Sequence, residues 1–289
     1  MNVSWDDHYP DKEVLRKEVN HMVEAFVEVL LKEIPESDIE GIYFKGSAQK
    51  HWDSPLDYVP ELSDIDIHLL FADDLAVQRD LGSISRVTHI QSGVEERYFS
   101  KTPKPLHVPR PQIVVLNQLL QEEDYIPTPE SAVSVVYGKD YPKGDYTDQD
   151  RIRLIDCRRV LEEEKFLSEF PARVIDKPSR YIWDSLRALV WHISPVAPRV
   201  LYVLGLPTEK AWSINRTEAV AHLTEKGEHQ LAQHYSEFYL HGWKYFLSKY
   251  SDSNAGRSSL IAGVHALTRA LEIAKTWHSE HSSGKDDQR

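Results

Sequence analysis

Hydrophobic residues recur at helical spacing near the start of the chain. Between residues 11 and 33 they fall mostly three or four positions apart, at Val14, Val19, Met22, Phe26, Val29 and Leu30. Side chains at this spacing lie on one face of an α-helix. Residues 83–100 repeat the pattern, so the sequence predicts two amphipathic helices that each pack one face against a core.

Three short segments have the composition of β-strands. They are Ile39–Phe44, Asp64–Phe71 and Gln112–Leu116. The second begins with strict alternation of acidic and apolar residues, which puts Asp64 and Asp66 on one face of the strand. The third is apolar after its first residue, a pattern typical of a central strand.

Helical spacing dominates from Thr147 onward. The segments that show it are 148–169, 178–193, 209–225, 228–250 and 256–280. We therefore expect an α+β fold, in which a small mixed-sheet domain over residues 1–145 is followed by an all-helical bundle domain over residues 146–289.

Composition narrows the class of protein. The chain has 289 residues and 41% hydrophobic content, as expected of a globular protein with two domains. It has no run of about 18 apolar residues and its N-terminus is charged, so we expect a cytoplasmic protein without a membrane partner. The net charge of −12 argues against a nucleic-acid partner, because binding to a phosphate backbone needs clustered Lys and Arg. The single cysteine, Cys157, excludes an intrachain disulfide and a cysteine-based zinc site.

Two elements of the first domain suit phosphate and metal chemistry. Gly46 and Ser47 directly follow a predicted strand, where glycine allows the backbone to approach an anion closely. Asp64 and Asp66 leave the same face of the next strand, so their carboxylates can hold one or two hard cations. Among their neighbours, we expect Lys45 to point away from Ser47 and His68 to be a hydrogen-bonded sheet histidine.

This order of elements resembles that of the DNA polymerase β-like nucleotidyltransferase superfamily. The residues that carry the resemblance are YFKGS at 43–47 and SDIDIHLLF at 63–71, and the likeness is good over residues 36–75. The helical second half is similar to the aminoglycoside nucleotidyltransferase branch. The resemblance implies that Gly46 and Ser47 hold the β- and γ-phosphates of a nucleoside triphosphate. It also implies that Asp64 and Asp66 are catalytic ligands of two Mg²⁺ ions.

The implied reaction moves a nucleoside monophosphate, AMP from ATP, to a hydroxyl of a small molecule such as an aminoglycoside-like antibiotic. The active site would lie in the cleft between the two domains. From the helical domain, Arg187 and Arg199 are the residues we expect to bind the nucleotide, although solvated or packing roles remain open for them. Glu61 or an acid of the helical domain would deprotonate the acceptor.

The chain departs from the superfamily pattern in two places. Sixteen residues separate Ser47 from Asp64, a long loop that suggests part of a substrate wall. In addition, Gln112 stands where the third catalytic carboxylate belongs. Either the site binds metal and nucleotide with weak or no transfer, or a nearby acid completes it. The candidate acids are Glu122, Glu123, Asp124 and those of the helical domain.

Two other classes of function compete with the transferase. The first is a nucleotide-binding regulatory protein of the same fold, for which the neutral Gln112 is the motivating feature. The second is a glycosyltransferase, in which Asp-x-Asp holds manganese on a nucleotide sugar. The early Gly-Ser strand argues against the glycosyltransferase, because that class opens with a larger parallel sheet.

Overall fold

The structure is a computed structural model that describes residues 3–282, and these residues divide into two compact units. The sheet unit contains Ser4–His51 and Ser63–Gly144. The helical unit contains Val3, Trp52–Leu62 and the described residues from Asp145 onward. Within residues 3–282, no helix is long and apolar enough to cross a bilayer.

The sheet unit is built on a mixed β-sheet with the strand order β3–β2–β1–β4. Its elements are α1 (Lys12–Glu33), β1 (Ile39–Lys45), β2 (Ile65–Phe71), α2 (Asp74–Leu81), α3 (Ile84–Lys101), β3 (Pro111–Val115), α4 (Leu116–Leu119) and β4 (Val133–Gly138). Strand β1 is antiparallel to both of its neighbours, whereas β2 and β3 are parallel. The expected α+β class and the small mixed sheet are therefore confirmed.

Most of the apolar stripe predicted in the first helix forms part of the core of this unit, whereas its first residue, Val14, is 42% exposed. Helix α1 begins after Asp11, whose carboxylate caps it by accepting a hydrogen bond from the Glu13 amide at 2.8 Å. Val19 and Met22 of its stripe are buried, and α1 contacts both α3 and β3. Burial of each such aliphatic side chain contributes about 1.5–3 kcal/mol, so this packing is a main source of the unit's stability.

Strand β3 is the clearest correction to the predicted topology. The apolar run after Gln112 indicated a central strand, but β3 lies at the edge of the sheet, beside β2 only. Ile113 remains 39% exposed, as the outer position allows. A hydrophobic run identifies a strand more reliably than it identifies the position of that strand in the sheet. An edge strand with one neighbouring strand and a covering helix also buries much of its surface.

The second half of the chain is helical, with more and shorter helices than predicted. They are α5 (Gln149–Leu161), α6 (Glu163–Val174), α7 (Ile182–Ile193), α8 (Val196–Val203), α9 (Thr208–Ser213), α10 (Arg216–Glu225), α11 (His229–Leu247) and α12 (Ser253–Ser282). The segment predicted as one helix over 148–169 is divided at Glu162 into α5 and α6. Helix α8 was not among the predicted helices. Pro195 and Pro198 lie at its beginning, where a missing backbone N–H is tolerated.

The long loop after Ser47 contains residues 52–62, which we call the inserted segment. It packs with the helices of the second unit. The buried Asp57 carboxylate accepts hydrogen bonds from the amides of Asp53, Ser54 and Thr217, at 2.8–2.9 Å, and from the Thr217 hydroxyl at 2.8 Å. Arg216 donates to the Leu56 carbonyl at 3.0 Å. This loop therefore forms an ordered part of the helical unit.

Candidate functional site

The turn after β1 depends on the conformation of Gly46. Its φ of +82° lies in the left-handed region that favours glycine. The Gln49 and Lys50 amides both donate to the Gly46 carbonyl, at 3.2 and 3.3 Å, and close the turn. Arg16 of α1 donates to the Ala48 carbonyl at 2.9 Å and holds the turn against the first helix. The Gly-Ser turn predicted from sequence is thus a fixed structure.

Asp66 lies directly against this turn. A Cβ added at Gly46 would stand 1.7 Å from Oδ2 of Asp66, a distance that no side chain can occupy. Any side chain at position 46 is therefore disfavoured by the backbone conformation and would displace the neighbouring carboxylate. The structure places the predicted glycine turn and one of the two predicted aspartates in contact.

Asp64 lies just before β2, two residues from Asp66, and is paired with an arginine. Alternation along the strand directs both aspartates to the same face of the sheet. The side chain of Asp64 is 9% exposed. Arg110 donates two hydrogen bonds to its carboxylate, from Nε to Oδ1 at 3.0 Å and from Nη2 to Oδ2 at 2.7 Å. A planar guanidinium that meets both carboxylate oxygens forms a strong and directional ion pair.

Gln112 lies beside Asp66, as the order of strands suggested. The two residues are direct partners in the parallel pairing of β2 with β3. The side chain at this position is a neutral amide. Glu122 and Glu123 lie exposed beyond α4 and are not part of β3. Within the described part of the chain, no group of three or more His, Cys, Asp or Glu side chains has the geometry of a metal site.

Lys45 is the direct cross-strand partner of Asp66. Its amine donates to the Thr128 hydroxyl at 2.9 Å. Burial lowers the pKa of Lys45, and the negative charge of Asp66 opposes that shift. Because directly paired residues of neighbouring strands leave the same side of a sheet, Lys45 shares the face of Asp66.

His68 continues the same face toward the interior of the sheet unit. It is 4% exposed, and its Nδ1 lies 2.9 Å from the hydroxyl oxygen of Tyr141. Tyr125 contacts the same hydroxyl at 3.2 Å. Burial, with a smaller contribution from the charge of Lys45, lowers the pKa of His68 to about 2. The imidazole is therefore neutral at pH 7, and its position is that of a hydrogen-bonded sheet histidine.

Arg187 and Arg199 belong to the helical unit, where each has a protein partner. Arg187 donates to the backbone carbonyl of Glu61, a residue with φ of +68°. Its hydrogen bond helps to hold a left-handed conformation that costs a non-glycine residue about 1–3 kcal/mol. Arg199 lies 3.7 Å from the buried carboxylate of Asp156, and burial raises the pKa of that carboxyl to about 6 against the charge of Arg199.

Sequence reasoning missed the residues that neutralise or support the aspartates. Arg110 lies in a proline-rich connector, between Pro109 and Pro111. Thr128 and Tyr141 lie in segments without a motif. The only sequence signal for Arg110 is its position directly before a strand that was itself predicted to begin beside the aspartates.

No protein-family model matches the chain, and no curated protein or solved structure is similar to it at a significant level.

Proposed function

We propose that the sheet unit binds a nucleoside triphosphate with Mg²⁺ at Asp64 and Asp66 and transfers its nucleoside monophosphate to a hydroxyl of a small molecule. In this proposal the sheet unit is the nucleotidyltransferase domain, the helical unit is a helical bundle domain, and ATP is the donor of AMP. The observation that supports it most strongly is the contact between Gly46 and the Asp66 carboxylate. It brings a glycine turn against one of two acidic residues that share a strand face, a combination that suits a metal-bound polyphosphate.

The donor atoms fit a hard cation. Asp64 and Asp66 offer carboxylate oxygens and Gln112 offers an amide oxygen, the ligand type that Mg²⁺ prefers, while a triphosphate and water would supply the remaining ligands. When bound, Mg²⁺ neutralises charge on the phosphates and favours departure of pyrophosphate. Gly46 and Ser47 would bind the β- and γ-phosphates. Lys45 would stand beside Asp66 as its direct cross-strand partner.

A regulatory protein that binds nucleotide without transfer is the second candidate. Gln112 favours it, because the residue in register with Asp66 is a neutral amide that can neither remove a proton nor supply a third negative ligand. In this version the same residues bind the triphosphate, and the acceptor hydroxyl is not activated.

Calorimetric titration with ATP, with and without Mg²⁺, tests what the two candidates share. We expect metal-dependent binding that Asp64→Asn and Asp66→Asn each abolish, whereas the exposed Glu96→Gln of α3 serves as the matched control and leaves it unchanged. Absence of metal-dependent ATP binding by the native protein would contradict both candidates.

Pyrophosphate release with a panel of hydroxylated antibiotics then separates the candidates. Release by the native protein supports the transferase. Binding without release by the native protein, together with release after Gln112→Glu, supports the regulatory protein.

A further inference from the structure

The pair formed by Asp64 and Arg110 is unequally exposed to solvent. Arg110 has 45% of its side chain exposed, whereas Asp64 has 9%. An ionised carboxylate at such a position needs a compensating cation, because removal of the partner leaves a poorly solvated charge. Arg110, by contrast, already reaches solvent, so separation from Asp64 costs its guanidinium little free energy. Any exchange of partners at this site must therefore replace the cation on Asp64.

The backbone around Arg110 is held in place, so an exchange requires only side-chain rotation. Its carbonyl accepts a hydrogen bond from the Ile65 amide at 3.0 Å, at the point where β3 joins β2. Farther back along the connector, the Glu18 carboxylate accepts from the Leu106 amide at 2.6 Å and contacts Nδ1 of His107 at 2.7 Å. The guanidinium is thus attached to a fixed backbone and lies beside Asp64.

A guanidinium and a divalent cation cannot both take the two carboxylate oxygens of Asp64. A guanidinium that gives up a carboxylate has an equally suitable partner in a phosphate, which accepts the same forked pair of hydrogen bonds. We infer that Arg110 is an exchangeable counterion: it neutralises Asp64 when the site holds no metal, and it moves to a phosphate of the triphosphate when a metal takes Asp64. This inference rests on the proposed function, and it adds a binding residue from outside the sequence motif.

The inference predicts opposite effects of one substitution on two ligands. In Arg110→Gln, Asp64 loses its competing cation, so Mn²⁺ alone should bind roughly tenfold more tightly. The complex of Mn²⁺ with a non-hydrolysable ATP analogue should bind roughly tenfold more weakly, because a charged hydrogen-bond donor to phosphate is lost. A residue that merely supported the fold would weaken both. Mn²⁺ binding is measured by electron paramagnetic resonance, and binding of the analogue complex by calorimetry.

Two further variants make the test specific. Arg97→Gln removes an arginine of the same unit that pairs with Glu28 on the surface, and it should change neither affinity. Arg110→Lys keeps the positive charge but not the planar pair of hydrogen-bond donors. We therefore expect the same two changes in affinity, each smaller than in Arg110→Gln. This variant decides the outcome if Arg110→Gln does not fold.

The possible results separate the inference from the proposed function. Unchanged or weaker binding of Mn²⁺ alone in both Arg110 variants overturns the inference, even if the native protein binds the metal–nucleotide complex and the proposed function stands. If the native protein binds no nucleotide but Arg110→Gln gains Mn²⁺ binding, the counterion role is supported and the proposed function fails. No binding of either ligand by any of the proteins overturns both.

Discussion

Substitution of Gly46 by alanine tests the contact on which the candidate site depends. The alanine would have to adopt φ near +82°. Its Cβ would stand 1.7 Å from Oδ2 and 2.8 Å from Cγ of Asp66. An L-residue in the left-handed region costs roughly 1–2 kcal/mol. Displacement of the Asp66 side chain from its rotamer adds about 0.5–1.5 kcal/mol. We therefore expect Gly46→Ala to destabilise the sheet unit by about 1.5–3.5 kcal/mol.

The two costs can be separated with a second substitution. Asp66→Ala removes the carboxylate that the new methyl group meets, so in that background Gly46→Ala should cost only the backbone part, about 1–2 kcal/mol. Native-state hydrogen exchange at the β1 and β2 amides reports the free energy of opening of this unit. It is preferable to global unfolding because a chain of two units need not unfold in one step.

The outcome of this cycle decides whether the geometry is correct. An equal loss of stability in both backgrounds would show that Asp66 does not lie against Gly46, and it would remove the main support for the proposed function. A loss that shrinks when Asp66 is absent supports the contact. Glu96→Gln, at an exposed position of α3 in the same unit, controls for non-specific effects on exchange.

Three further predictions concern single side chains. Asp57→Ala should destabilise the helical unit by about 3–5 kcal/mol, because several amide and hydroxyl donors lose their acceptor at about 1–3 kcal/mol each. Asp57→Asn keeps one acceptor oxygen and should cost less; hydrogen exchange in α10 measures both variants, and equal losses would contradict the role of the carboxylate as acceptor. His68, with a folded pKa of about 2 against 6.5 when unfolded, takes up a proton on unfolding at pH values between these limits. Stability should therefore fall as pH decreases below 6.5, by up to about 1.4 kcal/mol per pH unit from this residue, and chemical unfolding at pH 5–7 should show a shallower slope for His68→Gln. Gln112→Glu places a third carboxylate beside Asp66 and should tighten the binding of Mn²⁺ alone by roughly tenfold. Gln112→Met should not change this affinity, and a similar gain in both variants would rule out metal coordination as the cause.

Local patterns were sufficient to predict the elements that carry the aspartates. The period of α1 and the alternation in β2 gave boundaries within one or two residues, because in both elements one face is buried and the other is not. The position of Gln112 beside Asp66 also followed from the sequence, since it required only that the third strand begin next to the second.

Features that depend on contacts between residues far apart in the sequence could not be predicted from local patterns. The edge position of β3 follows from its pairing with β2 alone, and β4 was missed because its role depends on pairing with β1, with partners 88 to 97 residues apart in the sequence. Arg110 has no periodic pattern around it, and its pairing with Asp64 spans 46 residues. These contacts are set by tertiary packing, which local spacing does not encode.

The inserted segment determines which pieces of the gene can encode folded protein. A fragment that ends at residue 144 would contain residues 52–62 but lack α10 and α11. In this fragment the buried Asp57 carboxylate would lose its hydrogen bonds from Thr217, and the Pro55 carbonyl would lose the hydrogen bond that it accepts from the Trp243 indole at 2.7 Å. A fragment that starts at residue 145 would leave the same donors of α10 and α11 without acceptors. We therefore expect the helical unit to recover native structure only when the two fragments are mixed, because this eleven-residue stretch belongs to one fragment and its hydrogen-bonding partners to the other.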